Sequence, residues 1–419
     1  MTQWWVAARR PKGLAAMIPW EGLSDFYRDR GRHGGILSDR FHIMWQDRQV
    51  LGNQYGKAGR SMQIYPPDGP ATRGQEETIE GDLPEEYLMM NRRDQIRADV
   101  ENEFRDQDFY TSREYRLEDI EVPLLSVANW GGLLLHLRGN VHGYSWAGSK
   151  LKFLRFIVGR HDLPFYYDEE VEIQKSFLDA FLKGEDTVGW SVPGKLAPVN
   201  ITLRKGNVGF NKPEKERTYP KREESHWPIP RTQYAKYFLH EDHSLSVATP
   251  QCESKSISYR ALGTLEKPQS VQFTTPPFLR ETEVTGHLTV HLNVSMTPEE
   301  SSGQKDIDLF ITLRHLDSAD QEIFYTGTIG DPVPVCKGWL RVSLRGVCES
   351  HPRHRAYLPY RGYLSTDVQP VTPGEVYAVD IELWPTNVVV EEGGRLLLEV
   401  SSGDSQGSGI FQHNSEHDR

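Results

Sequence analysis

Residues 150–161 (KLKFLRFIVGRH) constrain the fold most: an almost unbroken apolar run of strand length, closed by Gly159 and delivering His161. Continuous rather than alternating apolar character is what a strand buried on both faces requires. Such strands belong to parallel sheets covered by helices on either side. Residues 14–18 (LAAMI) and 122–128 (VPLLSVA) have the same character, each followed by a turn, PWEG at 19–22 and NWGG at 129–132. Helical spacing joins them. The opening MTQWWVAA is apolar on one face, a helix is expected to run to about Trp146, and residues 168–183 place Val171, Ile173, Phe177, Leu178, Phe181 and Leu182 on one stripe that Gly184 stops. The order predicts an α/β fold entered partway, the second half of a doubly wound sheet.

Residues 24–119 interrupt this pattern with charged, aromatic-rich sequence that includes Gly34, Gly35 and the loop PPDGP at 66–70. An insertion of that length between strands commonly forms a lid over a site, and residues 83–104 carry Glu, Arg and Met at the spacing of an amphipathic helix. Beyond Trp190 the chain changes again. Short strands are predicted at 199–204, 286–296, 307–314, 339–344, 376–384 and 395–400, with the charged, Pro-rich 212–231 as a surface loop. This spacing suggests an all-β sandwich or jelly roll. The division is therefore 1–190, an incomplete α/β domain with its lid at about 24–119, and 191–419, a β domain.

The formal charge of −11 over 419 residues, without a basic stripe, argues against a nucleic-acid or anionic-membrane partner, which clustered Lys and Arg would serve. Cys252, Cys336 and Cys348 have spacings of neither a zinc site nor a disulfide framework, so free thiols in a reducing compartment are expected. No apolar run nears the ~20 residues of a membrane span, and the start lacks the order of a signal peptide. A cytoplasmic protein without a cofactor is the expectation.

A histidine just after a buried strand late in such a sheet is where α/β-hydrolases place a general base; the alternative is a structural histidine in a turn. A nucleophile elbow is harder to find. The strict Gly-x-Ser-x-Gly match at 403–407 lies in the β domain, and its Ser405 leads into a polar tail rather than a helix. The near match at 143–147, with Ser145, has no strand leading into it.

Residues 1–8, PWEGLSDFYRD at 19–29 and GGI at 34–36, together with DIDLF at 306–310, GWLR at 338–341, LWPT at 383–386 and SSGDSQGSG at 401–409 with His413 and Asn414, resemble the CocE/NonD family of α/β-hydrolases, which includes cocaine esterase and X-prolyl dipeptidyl-peptidases. The resemblance covers nearly the whole chain. It implies a partial α/β-hydrolase sheet with a helical lid, a C-terminal jelly roll, and hydrolysis of a small-molecule or peptide acyl substrate (ester, amide or X-Pro peptide) through a serine. It places that serine upstream of Met1, so the chain alone is expected to be inactive and, with part of a sheet missing, to self-associate. His161 would be the base. The family's aspartate follows the strand that here ends at Ala128, where this sequence reads Asn129-Trp130-Gly131-Gly132, with no carboxylate from 122 to 161. A histidine base needs a buried carboxylate to fix its tautomer, so Glu21, at the end of the preceding strand, is expected to pair with His161, with Asp25 second and a turn-capping role for Glu21 as the alternative. Trp20, Phe26, Tyr27 and Trp45 are expected near the acyl pocket. The competing reading is a non-catalytic binding or scaffold protein of the same descent.

Overall fold

A computed structural model describes residues 1–46, 84–91, 93–250, 255–261, 263–297 and 306–413. Its first sheet is built on β1 (Leu124–Asn129) and β2 (Lys152–Ile157), paired in parallel from Leu124 opposite Lys152 to Asn129 opposite Ile157. All of β1 is buried, as its uninterrupted apolar sequence requires. Between them runs α2 (Leu137–Trp146), which follows α1 (Thr2–Ala8) in the chain and completes a βαβ unit. The expected strand at 14–18 is an irregular edge instead. It bridges β1 only at Met17 and Trp20, because the intervening Pro19 has no N–H to give the ladder; its carbonyl still accepts from Val127 N at 3.1 Å.

Two glycines let the helices close on this sheet. A Cβ at Gly143 would lie 2.3 Å from the ring of Trp4, the fully buried side chain of α1, and one at Gly139 would lie 2.5 Å from Ser24 N. The glycine of the near-elbow at 143–147 is thus a helix contact. Ser145 sits inside α2, its hydroxyl donating to Val141 O at 2.8 Å.

The strand expected at 199–204 is present as β3 (Val199–Thr202), but it joins the first sheet, parallel to β2, and not the β domain. β4 (Lys221–Glu224), within the stretch expected to be a loop, then pairs antiparallel with β3. The first sheet therefore extends past the boundary expected at 190. α3 (Asp168–Leu178) covers one face, its last turn widening through Asp179–Lys183 before Gly184 ends it at φ 75°. Arg155 of β2 and Glu170 of α3 form a buried two-bond pair, 2.7 Å each. In the insertion, the single helix expected over 83–104 is two short ones, Glu85–Met90 and Gln95–Glu101. Asp94 starts the second by accepting from Arg97 N at 3.0 Å. Most of the remaining expected lid lies outside the described residues, as does Cys252; Cys336 and Cys348 are free thiols.

The C-terminal domain is all β. Its strands β5 (Ser270–Thr274), β6 (Thr282–Val294), β7 (Asp308–Leu316), β8 (Cys336–Arg341), β9 (Tyr377–Val390) and β10 (Arg395–Ser401) lie in the order β6-β9-β8-β7-β10-β5, all antiparallel, with Glu322–Ile323 beside β7. The domains share a core. Buried Arg204 donates to Asn387 O at 2.6 Å and Thr386 Oγ1 at 2.7 Å of β9, and a Cβ at Gly131 would lie 1.8 Å from Thr326 O. No helix among the described residues is long and apolar enough to cross a membrane.

Candidate active site

The C-terminal ends of the first sheet's strands carry the site. After Trp20 bridges β1, Glu21 N donates to Val127 O at 2.9 Å and the backbone turns sharply, with Glu21 at φ 44°. A side chain in the left-handed region is held there only by its surroundings. Here Asn140 of α2 does it, accepting from Gly22 N at 2.7 Å and donating to Pro19 O at 2.8 Å. The turn aims the Glu21 carboxylate, 3% exposed, at the loop that follows β2.

His161 stands in that loop, its backbone N–H fixed to Thr328 O of the β domain at 2.9 Å. Its Nδ1 lies 3.0 Å from Glu21 Oε2. The second carboxylate oxygen accepts from Asn129 Nδ2 at 3.0 Å, and the same amide donates to Gly159 O at 2.7 Å while its oxygen accepts from Gly131 N at 2.9 Å. Every polar atom of the Asn129 side chain is therefore used. The His161 side chain remains 44% exposed, and its Nε2 makes no hydrogen bond among the described residues. Burial of the ring works to lower the His161 pKa, but the Glu21 hydrogen bond and charge outweigh it and hold the value above the ordinary imidazole range. An imidazole with Nδ1 on a buried carboxylate and Nε2 free has the geometry to exchange a proton at Nε2.

The other expected residues fall elsewhere. Asp25 is not brought to His161. Its carboxylate accepts from Tyr27 N and Arg28 N and pairs with the Arg28 guanidinium, which with Arg105 and Arg138 offsets burial and holds the group well below the usual carboxylate range. Trp20 packs edge-on to Phe165 at 5.2 Å, beside Glu21. Phe26 and Tyr27 enter a separate cluster around Tyr110, where Tyr27 is buried, and Trp45 stacks on Phe41. No ring contact among the described residues joins these three groups into one pocket wall. Ser405 is buried and accepts from Arg314 Nη2 at 3.0 Å in the β domain, and it makes no contact with His161.

Two residues of the site escaped the sequence reading. Asn129 registered there only as an absent carboxylate; a polar amide ending an otherwise apolar strand was the available signal. His136, whose ring stacks on His161 at 4.7 Å and 13°, had none. Glu21, His136 and His161 offer potential ligand atoms within 4.8 Å of one another. A metal would need imidazole lone pairs that converge, whereas those of stacked rings lie in parallel planes and Nδ1 of His161 already faces Glu21. The trio fits a stacked dyad and not a metal centre.

Known proteins resemble the chain along its length. The X-Pro dipeptidyl-peptidase (S15 family) profile matches residues 1–155, and that of the X-Pro dipeptidyl-peptidase C-terminal non-catalytic domain matches residues 192–419. The crystal structure of a CocE/NonD family hydrolase from Staphylococcus aureus superposes with TM-score 0.77 and 27% identity, covering 100% of this chain and 66% of that one. An aminopeptidase from a marine sediment Thaumarchaeota archaeon shares the fold at TM-score 0.60 and 14% identity, over 96% of this chain and 66% of its own. A Mycobacterium bovis protein whose name assigns it provisionally as a serine esterase is 24% identical over 204 residues, 43% of this chain and 30% of that protein. The chain thus spans about two thirds of the length of these solved structures and under one third of the Mycobacterium bovis protein. With one profile spanning more than half of its residues and a superposition over all of them, the chain belongs to the CocE/NonD-like family.

Proposed function

We propose that this chain supplies the general base and its acid partner for acyl transfer of the serine-hydrolase type, His161 as base and Glu21 as the carboxylate that orients it. The observation that carries the reading is the 3.0 Å contact between His161 Nδ1 and the buried Glu21, itself held by Asn129. In such a reaction Nε2 takes the proton of the nucleophilic hydroxyl and returns it to the leaving group, while the carboxylate keeps the proton on Nδ1 and stabilises the imidazolium. Because the His161 pKa stands above its ordinary value, the base form grows as pH rises through and past neutrality, and activity follows it. The substrate is a small-molecule ester or amide or an X-Pro peptide; the family profiles are named for X-Pro dipeptidyl-peptidase and one relative for serine esterase.

No serine described here meets Nε2: Ser145 is bonded within its helix and Ser405 to Arg314. The 419 residues by themselves are accordingly proposed to lack covalent capture. That same observation favours a second reading, a binding or scaffold protein of this descent. A fluorophosphonate probe tests the lack of capture that both readings share: the isolated chain is expected to remain unlabelled, and labelling at Ser145 or Ser405 would refute it. The base itself is read by histidine nitrogen shifts: a His161 neutral form protonated on Nε2 would overturn its role.

A further inference from the structure

Beside the dyad lies a second imidazole to which the proposed chemistry assigns nothing. His136 is the residue before α2, and the backbone N–H groups of Leu135, His136 and Leu137 all converge on Gly132 O. The turn that sets it there holds Leu134 at φ 85°, a conformation uncommon for a bulky side chain. Gly132 leaves just enough room: a Cβ there would lie 3.4 Å from Glu21 Oε2 and 3.6 Å from His136 Cβ. The His136 Nδ1 is buried with no hydrogen-bond partner among the described residues. A side chain chosen only to fill this space would do so better without a polar nitrogen left bare. What it does meet is the face of His161, ring centroids 4.7 Å apart and planes within 13°.

We propose that His136 is a positioning residue for the reaction assigned above: a neutral imidazole platform that holds the His161 ring in the plane where Nδ1 meets Glu21, and whose π face stabilises the imidazolium. The inference rests on the reading of His161 as base. A cation stacked on an electron-rich ring is favoured, whereas two cationic rings at this distance repel, so the pair holds one proton and His161 carries it. The charges around the pair agree. Glu21 faces His161 from its turn and Asp162, bridged to Arg160, faces it from its own loop, both favouring the imidazolium. Burial and the charge on His161 both push the His136 pKa well below its ordinary value.

The test is a titration of the full chain with labelled histidine side chains, followed by NMR. His136 is expected to stay neutral throughout the range in which His161 protonates; protonation of His136 at or before His161 would overturn the proposal without any variant. In His136→Leu the His161 pKa is expected to fall by about half a unit, and in His136→Phe, which keeps an aromatic face, to return most of the way. Glu21→Gln separates the two readings. If it lowers the His161 pKa while His136→Leu leaves pKa and tautomer unchanged, the platform is refuted and the dyad stands; if neither substitution moves His161, both fall.

Discussion

Asn129→Asp places a carboxylate at the end of β1, beside Glu21, and it should fail. The replacement is nearly isosteric, so the Asn129 Oδ1 contact with Gly131 N at 2.9 Å is kept. The amide nitrogen, however, now becomes an oxygen facing two acceptors, Glu21 Oε1 at 3.0 Å and Gly159 O at 2.7 Å. Two unit charges about 3 Å apart at an effective dielectric of about 20 repel by about 5 kcal/mol. The pair relieves this by keeping a proton, which raises the folded-state pKa of the new carboxyl above its unfolded ~3.9. The sign follows: below pH 4 the group is protonated in both states and costs little, whereas as pH rises the unfolded chain ionises and the folded one resists. Relative to the parent, Asn129→Asp should lose about 3–5 kcal/mol at pH 8 and less than about 1 kcal/mol at pH 4. Urea denaturation at the two pH values measures it. Equal stability of parent and variant at pH 8 would refute the geometry of the Glu21–Asn129 contact.

Other contacts make equally definite forecasts. Gly143→Ala gains about 1 kcal/mol of helix propensity but drives a methyl to 2.3 Å from the buried Trp4 ring, so denaturation should show a net loss of about 1–2 kcal/mol that Trp4→Leu in the same chain largely removes. Glu170→Ala strands the buried Arg155 guanidinium and should cost about 3–5 kcal/mol, while the double replacement Arg155→Leu with Glu170→Leu should come within about 1 kcal/mol of the parent. Lys337, wholly buried against Ser408, is pushed by burial down to about 8, against the pull of Asp404. Between that pH and ~10.4 only the unfolded chain holds the proton, so stability should rise with pH by up to about 3 kcal/mol, and Lys337→Met should flatten the rise.

How much of this was legible in the sequence depended on whether a residue's surroundings are local. β1 and β2 were, because burial on both faces writes a continuous apolar run, and so was α3 with Gly184 at its stop. β3 was found as a strand and placed in the wrong layer: four residues, Val199–Thr202, cannot state whether they lie beside β2 or in the β domain, and only the pairing Leu154 with Val199 settles it. The helix expected over 83–104 broke because Asp94 caps more favourably than it continues. Within the site, Glu21 and His161 were reachable through their positions at strand ends. Asn129 and His136 were not, since one acts through a hydrogen bond across 108 residues and the other through a ring face.

The meeting of the side chains at positions 21 and 129 follows from the sheet itself. The parallel bridge of Trp20 to Val127 and the bond from Glu21 N to Val127 O set the two strand ends side by side, so a carboxylate on either enters the same space above them. From β1 the residue at 129 stands directly opposite Ile157 and needs only a short side chain to reach the loop after β2, which Asn129 does in touching Gly159 O. From the edge strand the distance is one strand further, and two changes span it: glutamate in place of aspartate adds a methylene, and the left-handed turn at φ 44° swings the side chain inward. Position 129 cannot then be apolar, because the inner carboxylate oxygen, at 3% residue exposure, would lack a donor. An amide is the side chain that supplies that donor while keeping the acceptor the Gly131 N–H requires. Glutamate at 21, a strained turn and asparagine at 129 are on this argument one solution with three parts, and altering any one of them should cost the His161 orientation as much as altering the carboxylate.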